Sequence, residues 1–408
     1  MDALFGRKFT IYQSFGLLRK FRAEYIFDGY RFRKEDEVLI ASGDGRIIDI
    51  VTAEVAGEGV EYFSGMLLPG FVNCHCHLDL SHLKGRIQDG TGLVDFLLRV
   101  LALRDAVSVE EKNDAMLRAM DQMHRSGTVA VGDICTGNTS LEIKKFSSLK
   151  WHNFIEVSGL SEAAADAKWQ AALRLVAEYR SALPGARSVP SPHAPYSVSP
   201  LLFRRLNEST ADEIIAIHNQ ESPQENQLFM EGKGDFLRLL QAVSIHSADF
   251  MHSGKSSLMY WTKFFNNRQK IISVHNTFTD TNDIEYTKKG QAGTVDMVFC
   301  LCPNANLFIE SSLPPVEMLL KSGIEPVLGT DSLASNQQLN IWEEVKTVFS
   351  KFPVQPEALL SWATLNGARA LGIADDFGSL EPGKRPGIVH VRKFHPRFWG
   401  ESVSGRVL

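Results

Sequence analysis

The chain has 408 residues, 44% of them hydrophobic and 22% charged, with a formal net charge of −5 at pH 7. Acids and bases are interspersed, which excludes a basic nucleic-acid surface, and no run reaches the roughly 18 apolar residues of a membrane span. Arg7, Lys8 and Gln13 interrupt the N-terminal stretch before a signal-peptide core can develop; the cysteines Cys74, Cys76, Cys135, Cys300 and Cys302 read as buried thiols of a reducing, cytoplasmic setting rather than a disulfide framework.

Residues 1–18 fit poorly with the rest of the chain and carry no functional reading. From Phe21 to Tyr62, short β segments alternate with turn signals: Arg22–Phe27, Glu37–Ala41, the Ser42-Gly-Asp-Gly45 turn, then Arg46–Val51. The same texture returns at Gly378–Gly383 and Gly387–Val391, so the two ends are expected to pair into one small β domain. Between them, the apolar run Met66-Leu-Leu-Pro-Gly-Phe-Val-Asn73 leads into His75-Cys-His77. Seven further strand candidates come after it: Thr128–Cys135, Asn153–Val157, Arg187–Ser191, Glu213–Ile217, Lys270–Val274, Val295–Cys300 and Glu325–Gly329. Helical periodicity lies between them at Gly92–Arg104, Val109–Arg125, Ala164–Ser181, Asp280–Gly290 and Pro314–Ser322. Eight strands alternating with helices predict an α/β protein with a (β/α)8 TIM-like barrel. A doubly wound open sheet is the alternative, but no Gly-x-Gly-x-x-Gly follows the first strand. The stretch 232–268 exceeds a βα connection and reads as a cap over the barrel mouth.

Side chains two apart on a strand share a face, so His75 and His77 can grip one metal ion, or simply be two half-buried strand histidines. Two imidazoles do not complete a catalytic site, which takes three protein ligands and a water. Barrel enzymes carry their chemistry at the C-terminal strand ends, and those ends supply the remainder: Pro192-His193-Ala-Pro-Tyr196, His218-Asn-Gln-Glu221, His275-Asn-Thr277, Cys302-Pro-Asn-Ala-Asn306 and Gly329-Thr-Asp331-Ser332.

In this ordered set, together with Ala363-Thr-Leu-Asn-Gly-Ala-Arg-Ala-Leu-Gly372 and Gly378-Ser-Leu-Glu-Pro-Gly-Lys384, the chain resembles the amidohydrolase superfamily, in its branch of cytosine-, guanine- and adenosine-type deaminases and chlorohydrolases. The resemblance implies a barrel over 67–373 and a small β-sandwich from both termini, 21–66 with 374–408. It implies one divalent metal ion, zinc or alternatively iron, held by His75, His77, His218 and Asp331. No lysine occurs in Arg187–Ser199 to bridge a second ion. Asp331 would take a proton from the metal-activated water, His275 would orient that water, and Glu221, read as one helical turn past His218, would protonate a ring nitrogen of the substrate. His193, Glu221, Phe96 and Asp105 would contact the substrate, the last two as an apolar wall and a hydroxyl acceptor for a sugar. The loop Leu78–Thr91, with Asp79, His82 and Arg86, is also similar to that of deaminases acting on aminodeoxyfutalosine. His246 and His252, in the cap, are further candidates for substrate contact, whereas Glu225 reads as the exposed face of its helix.

The expected activity is therefore hydrolytic removal of an amino group, as ammonia, from a purine-like or nucleoside-derived heterocycle. The expected partner is that small molecule alone, with neither nucleic acid nor membrane; a homodimer is in keeping with the relatives. Displacement of halide or alkylamine from a triazine-like ring is the alternative chemistry, and a catalytically silent scaffold the third reading.

Overall fold

A computed structural model describes residues 18–243, 252–288 and 295–408. The strands in chain order are β1 Leu18–Ile26, β2 Glu37–Ser42, β3 Ile47–Thr52, β4 Val60–Pro69, β5 Phe71–His77, β6 Thr128–Cys135, β7 Lys150–Val157, β8 Arg187–Pro192, β9 Ile214–Asn219, β10 Lys270–His275, β11 Asp296–Leu301, β12 Val327–Leu328, β13 Asp331–Ser332, β14 Ile388–Arg392 and β15 Val403–Arg406. They form three sheets. A six-stranded sheet, ordered β15-β14-β4-β1-β2-β3, draws on both ends of the chain; a five-stranded one runs β13-β5-β6-β7-β8, and a four-stranded one runs β12-β11-β10-β9. All pairings in the last two are parallel, which gives an α/β fold with helices in the strand connections. Among the described residues the two chain ends make one sheet, where two facing sheets were expected.

Composition explains the division. β5, β6 and β9 are buried at every position, as near-continuous apolar strands of a parallel sheet covered on both faces must be. One apolar cluster takes Val72, Ala130, Phe154, Val189, Ile215, Ile272, Cys300 and Val327, at least one residue from each of β5 to β12, so the two parallel sheets share a core.

The run Met66–Asn73 is two strands, not one. Met66–Pro69 pairs with β14 in the end sheet, whereas Phe71 begins the strand that carries the histidines. Gly70 is the joint: a Cβ there would lie 2.3 Å from Val129 Cγ1 and 2.5 Å from the Pro386 carbonyl, so only glycine lets the sheets meet this closely. The longest helices follow the expected registers, at Val109–Ser126 and Glu162–Ala182. The first is capped by Ser108, whose hydroxyl accepts from Glu111 N–H at 3.2 Å. No helix among the described residues is long and apolar enough to cross a membrane. Of the expected cap, 244–251 and with it His246 lie outside the described residues, as do residues 289–294.

Candidate active site

The strand ends converge. Parallel registry sets His218 beside Val274 and Asn219 beside His275, and Asp331 beside Cys76 on the strand of His75 and His77. The alternation on β5 separates its residues as expected: His75 and His77 face the site, Cys74 packs into the shared core and Cys76 into a separate cluster with Met116 and Met123. Asn73, on the histidine face, ties β5 to the turn that leads into Asp331. Its amide donates to Thr330 Oγ1 at 2.8 Å, and its carbonyl accepts from Thr330 N–H at 3.1 Å. Gly329 permits the approach, because a Cβ there would lie 2.7 Å from His75 Cβ. Three residues at the mouth turn sharply off their strands with left-handed backbone: His275 at φ 72°, Asn276 at 55° and Asp331 at 57°. Such conformations cost on the order of 1–3 kcal/mol each and persist only where surrounding contacts impose them.

Ligating atoms of His75, His77 and His218 lie within 4.8 Å of one another, as do those of His75, His275 and Asp331. His77 Nε2 stands 3.0 Å from His218 Nε2. His218 Nδ1 lies 2.7 Å from the His193 carbonyl, an acceptor only, so Nδ1 carries the proton and Nε2 turns a lone pair toward His77. Asp331 Oδ1 is 3.5 Å from Nε2 of both His75 and His77, while Ser335 donates to the other oxygen. His75 is fully buried, and neither ring nitrogen has a hydrogen-bond partner. Buried polar atoms without partners are costly; here Nε2 of His75 turns toward the Asp331 carboxylate. Burial pushes the His75 imidazole down to about 4 and that of His218 well below its ordinary value. Both are therefore neutral near pH 7, the state that ligates. Burial alone would raise the Asp331 carboxyl, but the imidazoles of His75, His77 and His275 hold it below the usual carboxylate range. Three imidazoles and a carboxylate are a fitting donor set for a divalent cation.

His275 differs. Its Nδ1 faces the amide nitrogen of Asn306 at 3.1 Å and accepts from it, which leaves the proton on Nε2, 3.6 Å from Glu221 Oε2. Burial lowers this imidazole to about 3. Glu221 is raised well above the ordinary carboxylate value, first by burial and then by the charges of Asp331, Glu225 and Glu310. Its environment favours the protonated acid, beside an N–H-bearing imidazole.

Glu221 lies ahead of a helix rather than one turn along it: Ser222 caps the helix Pro223–Glu231. Glu225 overturns its reading as an exposed residue. It is fully buried and accepts from the backbone N–H of Gln220 at 3.0 Å and of Glu221 at 3.3 Å.

These groups open onto a cavity of about 630 Å³ lined by His77, His193, His218, Glu221, His275 and Asp331 at one end. The remaining wall is largely apolar, with Leu93, Phe96, Leu97, Val100 and Leu101 on one side and Leu239, Leu240 and Val243 on another; Arg104, Thr136 and Glu156 add polar points. Phe96 is on this wall. Asp105 is not: its side chain is 80% exposed and pairs with Lys112 at 2.8 Å, because it follows the last turn of its helix on the solvent side. His252 is exposed against Gly232, off the cavity wall. His193 hydrogen-bonds Ser197 through Nδ1 at 2.7 Å, leaving Nε2 for the cavity. Sequence reasoning missed Asn73, Ser335, Glu225 and Arg104; only the position of Asn73, two before His75 on the same strand face, was a usable signal.

A sequence profile of the amidohydrolase family matches residues 66–404. A 5-methylthioadenosine/S-adenosylhomocysteine deaminase of Teredinibacter turnerae is 28% identical over 346 residues, 80% of this chain and 71% of that protein. A 5'-deoxyadenosine deaminase of Methanosarcina barkeri is 26% identical over 370 residues, 86% of this chain and 79% of that protein. Among solved structures, Helicobacter pylori aminofutalosine deaminase in complex with methylthio-coformycin is similar with a TM-score of 0.77 at 20% identity, over 96% of this chain and 100% of that one. This last likeness bears on the fold.

Proposed function

We propose that this chain, which belongs to the amidohydrolase family, is a metal-dependent aminohydrolase that releases ammonia from an adenosine-like, nucleoside-derived heterocycle. The observation that carries the reading is the buried cluster of His75, His77, His218 and Asp331, with both ring nitrogens of His75 unpartnered, opening with Glu221 onto one cavity. The deaminase relatives support the reaction class. A cavity of about 630 Å³ suits a molecule larger than a bare base, and its apolar flank suits a nucleoside carrying an apolar extension.

His75, His77, His218 and Asp331 would hold the ion; zinc is the expected metal. When bound, a divalent cation supplies Lewis acidity and makes a water nucleophilic near neutral pH. The residues do the remainder. Glu221 gives its proton to the ring nitrogen next to the amino-bearing carbon, which makes that carbon electrophilic. Asp331 Oδ1 accepts a proton from the attacking water, and the Nε2–H of His275 orients that water. The proton held by Asp331 then passes to the departing amine, which leaves as ammonia, and the proton left on the added oxygen returns to Glu221 as the carbonyl forms. His193 and Phe96 contact the substrate.

The same reading takes the two parallel sheets as one closed barrel over 67–373, with 21–66 and 374–408 as a composite β domain. It is supported by hydrogen bonds across the seams, His218 N–H to the His193 carbonyl and Thr330 N–H to the His75 carbonyl, both 2.9 Å. Five buried cysteines without a disulfide fit a cytoplasmic setting.

The test is elemental analysis with a turnover panel. About one equivalent of divalent metal is expected, along with ammonia release from at least one of adenosine, 5'-deoxyadenosine, methylthioadenosine and related aminopurines. Chelation should abolish turnover and zinc should restore it. Metal-loaded protein that releases chloride or alkylamine from triazines, and no ammonia from the panel, would replace this reading by the alternative chemistry.

A further inference from the structure

We propose that Glu225 is a positioning residue for Glu221: its carboxylate grips two consecutive backbone N–H groups and so sets where the Glu221 carboxyl stands against His275. The inference rests on the function proposed for Glu221, but its geometry stands apart from any substrate.

Glu225 occupies the third position of the helix Pro223–Glu231, which Ser222 caps. A glutamate there ordinarily folds back onto the N–H of the capping residue. This one reaches further. Oε1 accepts from Gln220 N–H at 3.0 Å and Oε2 from Glu221 N–H at 3.3 Å, while the Ser257 hydroxyl donates to Oε1. The fork therefore spans the peptide that delivers Glu221. That peptide follows Gln220, whose backbone is left-handed at φ 47°, a conformation a non-glycine residue keeps only when its surroundings enforce it.

The rest of Gln220 is already tied. Its amide donates to Asp283 at 2.7 Å and to Asn226 at 3.1 Å, and its side-chain carbonyl accepts from Thr279 at 2.6 Å. Its backbone carbonyl accepts from Phe278 N–H at 3.0 Å. Thr279 and Phe278 belong to the segment that follows His275. Gln220 thus joins the loop of Glu221 to the loop of His275, and Glu225 holds the one remaining backbone donor of that joint. A helix cap whose only duty was stability would have no need to reach past the capping residue to the catalytic turn.

Glu225→Ala and Glu225→Gln test this with two readouts. Crystal structures of both variants should show the Glu221 carboxyl displaced from His275 in Glu225→Ala and less so in Glu225→Gln, which keeps one acceptor oxygen, with His75, His77, His218 and Asp331 unmoved. In turnover, Glu225→Ala should lose about 100-fold in kcat, the size of effect a misplacement of about 1 Å produces. KM should stay within about threefold, metal content should be unchanged, and Glu225→Gln should recover part of the loss. Should Glu225→Ala fail to fold, the near-isosteric Glu225→Gln carries the test alone, with a displaced Glu221 and a loss of about tenfold in kcat. Glu221 in its original place, or kcat preserved while only the melting temperature falls, would overturn the proposal. If the parent protein turns over nothing on the panel, the function proposed for the site fails, and the crystallographic displacement still decides the positioning role.

Discussion

Two buried ionisable clusters flank the end of β5, and they have opposite characters. Beside β6, Lys144 and Asp133 are both fully buried and 2.5 Å apart. Lys144 also donates to Asn153 at 2.8 Å and Cys135 at 3.3 Å and lies against the rings of Trp151 and Tyr179. Asp133 accepts from Leu78 N–H at 2.8 Å, immediately after His77. Burial alone would lower the lysine, but the facing carboxylate raises it, so it stays charged. Every strong donor and acceptor of that pair is answered from within the protein. At the histidine cluster, by contrast, both ring nitrogens of His75 go unanswered, and His77 and His218 present ring nitrogens to each other. A saturated buried pair supports the fold; an unsaturated one calls for a partner from outside.

The sharpest way to break that contrast is to truncate each cluster and read metal, turnover and stability together. His218→Ala or Asp331→Ala should lose the metal and at least about 10⁴-fold of the ammonia-releasing rate, removing nucleophile and orientation at once. Glu221→Gln should retain metal in elemental analysis and lose about 10²–10⁴-fold in rate, as removal of a general acid does. Full activity in that variant would take Glu221 out of the mechanism.

At the saturated cluster the expected loss is stability. Lys144→Met strands the Asp133 carboxylate and should cost about 3–5 kcal/mol in chemical denaturation, with much of it recovered by adding Asp133→Leu. A Lys144→Met protein as stable as the parent would mean that the pair contributes nothing.

A smaller effect sharpens the comparison through pH. Glu344, fully buried behind the Asp331 loop, accepts from Asn304 N–H at 2.9 Å and Asn336 at 2.8 Å, yet burial pushes its carboxyl from 4.5 up to about 8. The folded state keeps a proton that the unfolded chain has released. Its contribution to stability is therefore full below pH 4.5 and is lost as pH rises to about 8. Glu344→Gln should flatten the fall in unfolding free energy between pH 5 and 8, by roughly 1–3 kcal/mol across the window in chemical denaturation. An unchanged slope would show that Glu344 is not its source. The smallest expectation concerns Asp105: exposed and off the cavity, Asp105→Asn should alter kcat/KM by less than about twofold, and a tenfold rise in KM would restore it as a substrate contact.

Much of the fold and of the cluster was legible in the residue order because the signals are local. Thr128–Cys135 is a strand over the span its apolar run marks. His75, His77, His193, His218, His275 and Asp331 each follow an apolar strand, so a parallel sheet carries them to one edge whatever the loop lengths between. The joint at Gly70 was hidden inside a continuous apolar run, because hydrophobicity does not tell which of two sheets a strand enters.

What the order of residues determined by itself was the periodic pattern that buries the strands and the chemical identity of the groups at their ends, since backbone alternation fixes which side chains share a face. What only the tertiary structure decided was whether a polar group is answered. Glu225 is buried because Ser257 and the Gln220 turn fold over it, Lys144 because Asp133 and two aromatic rings enclose it, and Asp105 is exposed because nothing packs beyond the end of its helix. Burial and pairing depend on segments tens of residues away, and no local pattern encodes them.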